Sequence, residues 1–192
     1  GYNSNKYAMY DWDKKEFMLN ELASIAQITW SDFEFSMNDA PDFYKGETNI
    51  KFNGDTYDLG NYAIEESDDG GDRNFMDNKY DSNKEKAMLG AGVSLFTKRD
   101  NIVIEELLVG LPIEQYKKDR ENIEEFYTGV EIEYEIPNGQ EYEKKILKVK
   151  DCHCYPQGIA SYYDTVINDK LKIVNGSKGG RLAILDFGGK TF

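Results

Sequence analysis

The chain has 192 residues, 40% of them apolar and 14% aromatic, and 23 basic against 36 acidic side chains leave a net charge of −13. That apolar content supplies one large or two small cores and excludes a disordered chain. The acidic balance argues against direct nucleic-acid binding, because polyanions are drawn to basic patches.

The longest nearly apolar stretch, residues 107–113, is far shorter than the roughly 20 residues of a membrane-spanning helix, so no membrane partner is expected. Cys152 and Cys154 lie too close together to staple the chain, and the sequence does not open on a basic segment followed by an apolar one. A reducing, cytoplasmic setting is therefore expected.

In chain order, alternating residues up to residue 10, a polar turn over 11–15 and a return over 16–19 predict a hairpin. WSDFEFSM, residues 30–37, reads as a strand or extended edge. Residues 49–59, NIKFNGDTYDL, predict a second hairpin around Asn53-Gly54, a pair suited to the positive φ values of a tight turn. Residues 65–81 are acidic, glycine-containing and aperiodic, as in a surface loop. Residues 83–98 place Ala87, Leu89, Ala91, Leu95 and Phe96 at helical spacing, with Gly90, Ala91 and Gly92 small enough for close packing on a sheet.

Residues 102–111 predict a buried strand stopped at Pro112, and 114–127 a charged helix ended by Gly129. Two alternating runs, 130–136 and 142–154, flank a Pro137-Asn138-Gly139 turn and predict a third hairpin. A short helix over 157–164 and a short buried strand over 182–186 complete the pattern. Hairpins interleaved with helices make this an α/β or α+β chain.

Three segments carry residues of chemical interest. Gly1-Tyr2-Asn3-Ser4-Asn5-Lys6 is a small-polar turn leading to a lysine, able to offer backbone N–H groups and an ammonium to a phosphate, or to serve only as a solvated turn. Pro156 and Gly158 fix the start of a helix at Gln157, whose neutral amide can orient a water. The bland alternative is a helix-start residue bonded to its own backbone. In LAILDFGGKTF, residues 182–192, an apolar strand delivers Asp186 to a glycine turn, a common way to hold hydrated Mg²⁺ against a triphosphate. An exposed aspartate in a hairpin turn reads the segment equally well.

A glycine turn near the start, Gly110-Leu111-Pro112 at a strand end, Pro156-Gln157-Gly158 at a helix start and the LDFGG turn together resemble the actin and heat-shock-chaperone ATPase superfamily. Their spacing is similar to that of the plasmid-segregation actins of the ParM type, and the likeness runs over nearly the whole chain. It implies an α/β, actin-like (ribonuclease H-like) domain with a mixed sheet flanked by helices and a small hairpin-rich subdomain inserted at roughly 30–80.

By the same resemblance, Gly1, Tyr2, Asn3, Ser4, Asn5 and Lys6 form a first phosphate loop, with Lys6 toward the β-phosphate. Gln157 places the hydrolytic water. Gly188, Gly189, Lys190 and Thr191 form a second phosphate loop, with Asp186 near Mg²⁺ and its waters. The implied cofactors are ATP or GTP with Mg²⁺. The implied partners are further copies in a filament and a DNA-bound adaptor protein. Family members carry an aspartate two residues before the glycine matched by Gly1. Residues 1–192 are therefore expected to be most of a first domain, with its first strand and the second domain lying outside them. A non-polymerising kinase, a chaperone-type ATPase and a non-enzymatic α/β binding module are the alternatives.

Two further features read as structural. On a strand, Cys152 and Cys154 face one side and His153 the other, so this triplet does not converge on a metal and the cysteines are expected in a core. The acidic pairs Glu65-Glu66, Asp68-Asp69, Glu105-Glu106 and Glu124-Glu125 are expected on solvated faces.

Overall fold

The computed structural model describes residues 4–11, 13–28, 43–45, 49–65, 82–139, 141–168 and 172–173. The strand expected over 30–37, most of the acidic loop and the whole segment from residue 182 onward lie outside them.

The chain opens on a two-stranded ribbon of β1 (Ser4–Asp11) and β2 (Glu16–Ala23), in antiparallel register from Ser4 opposite Ala23 to Asp11 opposite Glu16. Asp11 makes the reversal, its Oδ1 accepting from the Asp13 and Lys14 amides at 2.9 and 3.0 Å. The Lys14 amide, with smaller help from that of Asp13 and from the Lys14 ammonium, holds the Asp11 carboxyl below the usual carboxylate range.

A six-stranded sheet follows in the order β3-β5-β4-β7-β8-β6. Its members are β3 (Ala26–Ile28), β4 (Asn49–Phe52), β5 (Asp55–Leu59), β6 (Asn101–Leu111), β7 (Glu131–Asn138) and β8 (Glu141–Pro156). The β6–β8 pair is parallel and the other ladders are antiparallel, so the sheet is mixed. The β4–β5 hairpin turns where expected, with Asn53 at φ 54° and Gly54 at φ 87°. The β7–β8 turn is tighter than the Pro137-Asn138-Gly139 expectation. Pro137 pairs with Tyr142 and Asn138 with Glu141, so the ladder continues past the proline, and Gly139 supplies the positive φ of 67°.

Helix α1 (Gly60–Glu65), which local patterning does not announce, follows β5 directly and buries Ala63. Helix α2 (Asn83–Ser94) begins at Ser82, whose hydroxyl accepts from the Glu85 amide at 3.3 Å. It stops before Leu95 and Phe96, which were expected within it. The Phe96 amide bonds Val93 O at 3.0 Å, an i→i+3 contact that tightens and ends the last turn. Helix α3 (Ile113–Tyr127) starts after Pro112 and ends at Thr128, with Gly129 at φ 72°. Helix α4 (Ile159–Val166) follows Gly158, whose φ is 86°.

α2 packs against β4, β5 and β7 of the sheet and also against the ribbon, while α3 packs on β6 and β8. The small face of α2 does what its glycines imply. A Cβ on Gly90 would lie 3.2 Å from the ring of Tyr134, a buried residue whose hydroxyl is 2.7 Å from Ser94 Oγ. Tyr7 crosses Gly92 and donates its hydroxyl to Met88 O at 3.0 Å. The ribbon is thus anchored to α2.

Three expectations need correction. β6 was expected to be buried, but among the described residues it is an edge of the sheet, and Val103 and Leu108 are 53% and 61% exposed. Glu124 is not a solvated carboxylate; its Oε1 accepts from the Cys154 amide at 2.8 Å, fastening α3 to β8. Simple alternation along β6 and β8 also breaks: Glu105-Glu106 and Lys150-Asp151 are consecutive outward residues at the same level, where Lys150 meets Glu105 at 2.8 Å. The inward set consequently changes parity before Leu107 and before Cys152. Within the sheet, Lys145 is fully buried with all three ammonium protons used, on Asp100 (2.8 Å), Glu143 (3.1 Å) and Lys98 O (3.0 Å). Burial opposes its charge, but these two carboxylates outweigh it and leave the pKa raised.

Candidate functional site

A cavity of about 310 Å³ lies where the start of β1 meets the C-terminal ends of β6 and β8. Asn5 and Lys6 reach it from the ribbon, Gly110 from the end of β6 and Gln157 from the residue just after β8. Its apolar floor includes Leu89 of α2 and Tyr127 of α3. The outer ends of parallel strands are where open α/β sheets place their ligands, since the connections leaving those ends diverge there.

Each polar group is held by a specific contact. Ser24 donates its hydroxyl to Asn5 Oδ1 at 3.2 Å, and the Asn5 amide also reaches the Tyr7 hydroxyl, which leaves one of its two hydrogens to donate elsewhere. Gln157 is pinned by its backbone amide to Leu111 O at 2.6 Å, and its Nε2 lies 3.4 Å from Gly110 O. Nε2 being the atom tied to Gly110, Oε1 is left free to accept. Gln157 does not bond its own helix; it sits before Gly158, the residue that caps α4, and is tied to the neighbouring strand. Gly110 faces Gln157 closely enough that an added Cβ would lie 3.6 Å from Gln157 Cγ. Lys6 is exposed at the rim.

The structure therefore brings together Asn5, Lys6 and Gln157, three residues singled out from distant parts of the sequence. Gly1, Tyr2 and Asn3 lie outside the described residues, as do Asp186, Gly188, Gly189, Lys190 and Thr191; of Ser4 the backbone alone is described, as the first residue of β1. Glu85 also lines the cavity and was not singled out. The signal for it was present: Ser82-Asn83-Lys84-Glu85 fits the Ser-x-x-Glu pattern of a helix start, which puts that carboxylate in the first turn of α2.

The polar lining is one ammonium (Lys6), one carboxylate (Glu85) and the side-chain amides of Asn5 and Gln157, beside a glycine that leaves the backbone approachable. Among the described residues no group of three or more His, Cys, Asp or Glu side chains gathers in the manner of a metal cage. A hydrated Mg²⁺ needs only one or two carboxylates, and Asp186 is the residue expected to face it.

The Cys152-His153-Cys154 triplet behaves as a strand. Both cysteines are buried under α3 with Ile123 and Tyr127, and His153 is exposed on the other face. The Cys152 thiol is pushed above its ordinary pKa by its hydrogen bond to Cys154 and by burial, with Glu124 adding to the effect. Little Cys152 thiolate is available to react, whereas the hydrogen bond from Cys152 holds the Cys154 thiol below its ordinary pKa, so the protection of Cys154 rests on its burial. Both thiols should resist a thiol-specific reagent in the folded chain at mildly alkaline pH and titrate on unfolding; rapid native labelling of the pair would contradict this packing. Among the described residues no helix is long and apolar enough to cross a membrane.

Comparison with solved structures gives the same architecture. The chain superposes on the crystal structure of the actin-like protein Alp7A with a TM-score of 0.65 at 15% identity, over 82% of this chain and 44% of that one. Against Bacillus thuringiensis ParM in its apo form the TM-score is 0.62 at 18% identity, over 96% and 50%. Against an AlfA filament bound to AMPPNP it is 0.55 at 16% identity, over 88% and 56%. The chain thus spans about half the length of these proteins. No curated protein matches it. Residues 20–159 match the family model described as the N-terminal domain of actin-like proteins. With an actin-like mixed sheet flanked by helices and ParM among its structural neighbours, the chain belongs to the actin-like proteins as an N-terminal domain of that family.

Proposed function

We propose that these residues are most of the first, phosphate-holding domain of a filament-forming nucleoside triphosphatase. In this reading the protein takes ATP or GTP with Mg²⁺, assembles with copies of itself and moves plasmid DNA through a DNA-bound adaptor. The observation that supports it most is the convergence of Asn5, Lys6 and Gln157 on one cavity at the C-terminal ends of β6 and β8. One neighbour was solved as a filament bound to a nucleotide, which supports self-assembly and nucleotide binding here. The small hairpin-rich region is assigned to roughly 30–80, and the second half of the cleft to polypeptide outside residues 1–192.

Within this site Lys6 supplies positive charge to a phosphate, and the Asn5 amide donates a hydrogen bond beside it. Gln157 acts through Oε1, accepting a hydrogen from a water and so directing one of the water's lone pairs at the terminal phosphate. Its amide cannot take the proton, so Gln157 positions the water and is not a general base. Asp186 with Gly188, Gly189, Lys190 and Thr191 is proposed as the second wall, and Gly1, Tyr2, Asn3 and Ser4 as the start of the first. Bound Mg²⁺ would offset phosphate charge.

The test is a pair of substitutions in the polypeptide that carries both domains. Gln157→Ala should slow phosphate release about tenfold, below what loss of a true general base produces, and lengthen filament life by light scattering without preventing assembly. Asp186→Ala should abolish Mg²⁺-dependent turnover. Unchanged phosphate release in both variants would overturn the reading.

A further inference from the structure

Among the described residues, the charged side chains lining the cavity are Lys6 and Glu85, one of each sign; Asn5, Gln157 and Gly110 add dipoles but no net charge. A phosphate site ordinarily gathers positive charge and backbone N–H groups, so a carboxylate in its lining needs a reason. The helix start supplies part of one. Glu85 stands in the first turn of α2, where the positive end of the helix favours an acidic side chain, and its amide donates to Ser82 Oγ at 3.3 Å. That explains a carboxylate at this point of α2, but not its place in the same cavity as Lys6.

Two observations bring its charge to bear on the cavity. Glu85 lines it together with Leu89, one turn further along the same face of α2, so that face and not the helix tip alone borders the space. Its field also reaches the ribbon. Burial above all pushes the Tyr7 hydroxyl above its ordinary range, against the hydrogen bond from Asn5, and the charge of Glu85 adds to the rise. A phosphate in this space therefore meets an attraction and a repulsion of comparable size, in a chain whose net charge is −13. A free nucleoside triphosphate brings its whole negative charge against Glu85. Its Mg²⁺ complex brings far less, because phosphate charge is then offset.

We propose that Glu85 is the residue that makes this site discriminate against metal-free nucleoside triphosphate: its carboxylate cancels the pull of Lys6 on bare phosphate oxygens, and opposes the Mg²⁺ complex far less. Glu85 touches no reacting atom; it sets which form of the ligand is admitted. The inference rests on the nucleotide reading above and deepens it, since that reading gives Glu85 no part.

The test reads binding and not turnover, in the polypeptide that carries both domains, below the concentration at which light scattering detects assembly. AMPPNP is titrated calorimetrically with excess Mg²⁺ and again with excess chelator, and the ratio of the two dissociation constants is compared between proteins. Glu85→Gln removes the charge but keeps the side chain's size and its fitness for a helix start. It should tighten metal-free AMPPNP about tenfold, as for removing one like charge from a partly screened site, and leave the Mg²⁺ complex unchanged or weaker. Glu85→Asp should keep most of the parent's ratio, and Lys6→Ala should weaken both forms. Where the parent shows no metal-free binding, binding that becomes measurable in Glu85→Gln is the same result; none in either protein overturns the proposal. An unchanged ratio overturns it, as does a change of both constants by one factor, which marks a structural role. If Lys6→Ala weakens both forms while Glu85→Gln leaves the ratio alone, this inference fails and the nucleotide site stands. If neither substitution moves either constant, the nucleotide reading fails with it.

Discussion

Tyr134→Ala is expected to lower the stability of the chain by about 3–5 kcal/mol, the range for removing a large buried aromatic side chain. Tyr134 is 2% exposed, lies against Gly90 of α2 and shares a hydrogen bond of 2.7 Å with Ser94 Oγ, so truncation opens a cavity and strips a buried hydroxyl of a partner. Tyr134→Phe separates the two effects. It keeps the ring but leaves Ser94 Oγ without that contact, at about 1–2 kcal/mol. Burial also pushes the Tyr134 hydroxyl from 10.0 up to about 12. The neutral form is therefore favoured in the fold; its contribution is complete below pH 10 and is lost as pH climbs through about 12. Tyr134→Phe cannot ionise and should lose less stability over that interval. Chemical denaturation of the three proteins at neutral and alkaline pH reads both effects; an alanine variant within about 1 kcal/mol of the parent would contradict the packing.

The second large effect is at Gly92. A Cβ there would overlap the Tyr7 ring, and Tyr7 cannot simply swing aside while its hydroxyl donates to Met88 O. Alanine is the better helix former by about 1 kcal/mol, so on propensity alone Gly92→Ala would stabilise α2. The overlap reverses that sign: a net loss of about 1–3 kcal/mol is expected, with the ribbon displaced from α2. The diagnostic is a double-mutant cycle with Tyr7→Ala. Once the ring is gone, Gly92→Ala should become neutral or favourable, a coupling well above the scatter of independent sites. Additive losses would mean that Tyr7 does not set the close approach.

The same two contacts show what the sequence makes legible. Gly90, Ala91 and Gly92 announce a helix face meant for close approach, and Asn53-Gly54 and Gly139 announce reversals, because these depend on the local chain. Which aromatic ring fills each glycine notch depends on how α2 crosses the ribbon and the sheet, and no local pattern carries that. The burial of Lys145 is hidden in the same way. It sits on the inward phase of β8, yet a lysine there reads as solvated until Asp100 and Glu143 are seen around it. β6 misleads in the other direction: its apolar run reads as a buried strand, whereas among the described residues it forms an edge facing the cavity. At the site, Lys6 and Gln157 are legible through the family resemblance and the glycine and proline residues near them. Their meeting, more than 150 residues apart in sequence, is a property of the sheet. Glu85 had a local signal as the last residue of a Ser-x-x-Glu helix start, but that signal speaks of capping and not of a cavity.

The central claim is that the start of β1 and the ends of β6 and β8 together meet a phosphate. It is tested most directly by following the backbone and side-chain amide resonances of these residues, in the polypeptide that carries both domains, while Mg²⁺ and AMPPNP are added. The account predicts saturable shifts at Asn5, Lys6, Gly110 and the Gln157 side chain, weakened by Lys6→Ala, with the β4–β5 hairpin unmoved. Shifts centred elsewhere, or shifts at these four residues that Lys6→Ala leaves unchanged, would contradict it.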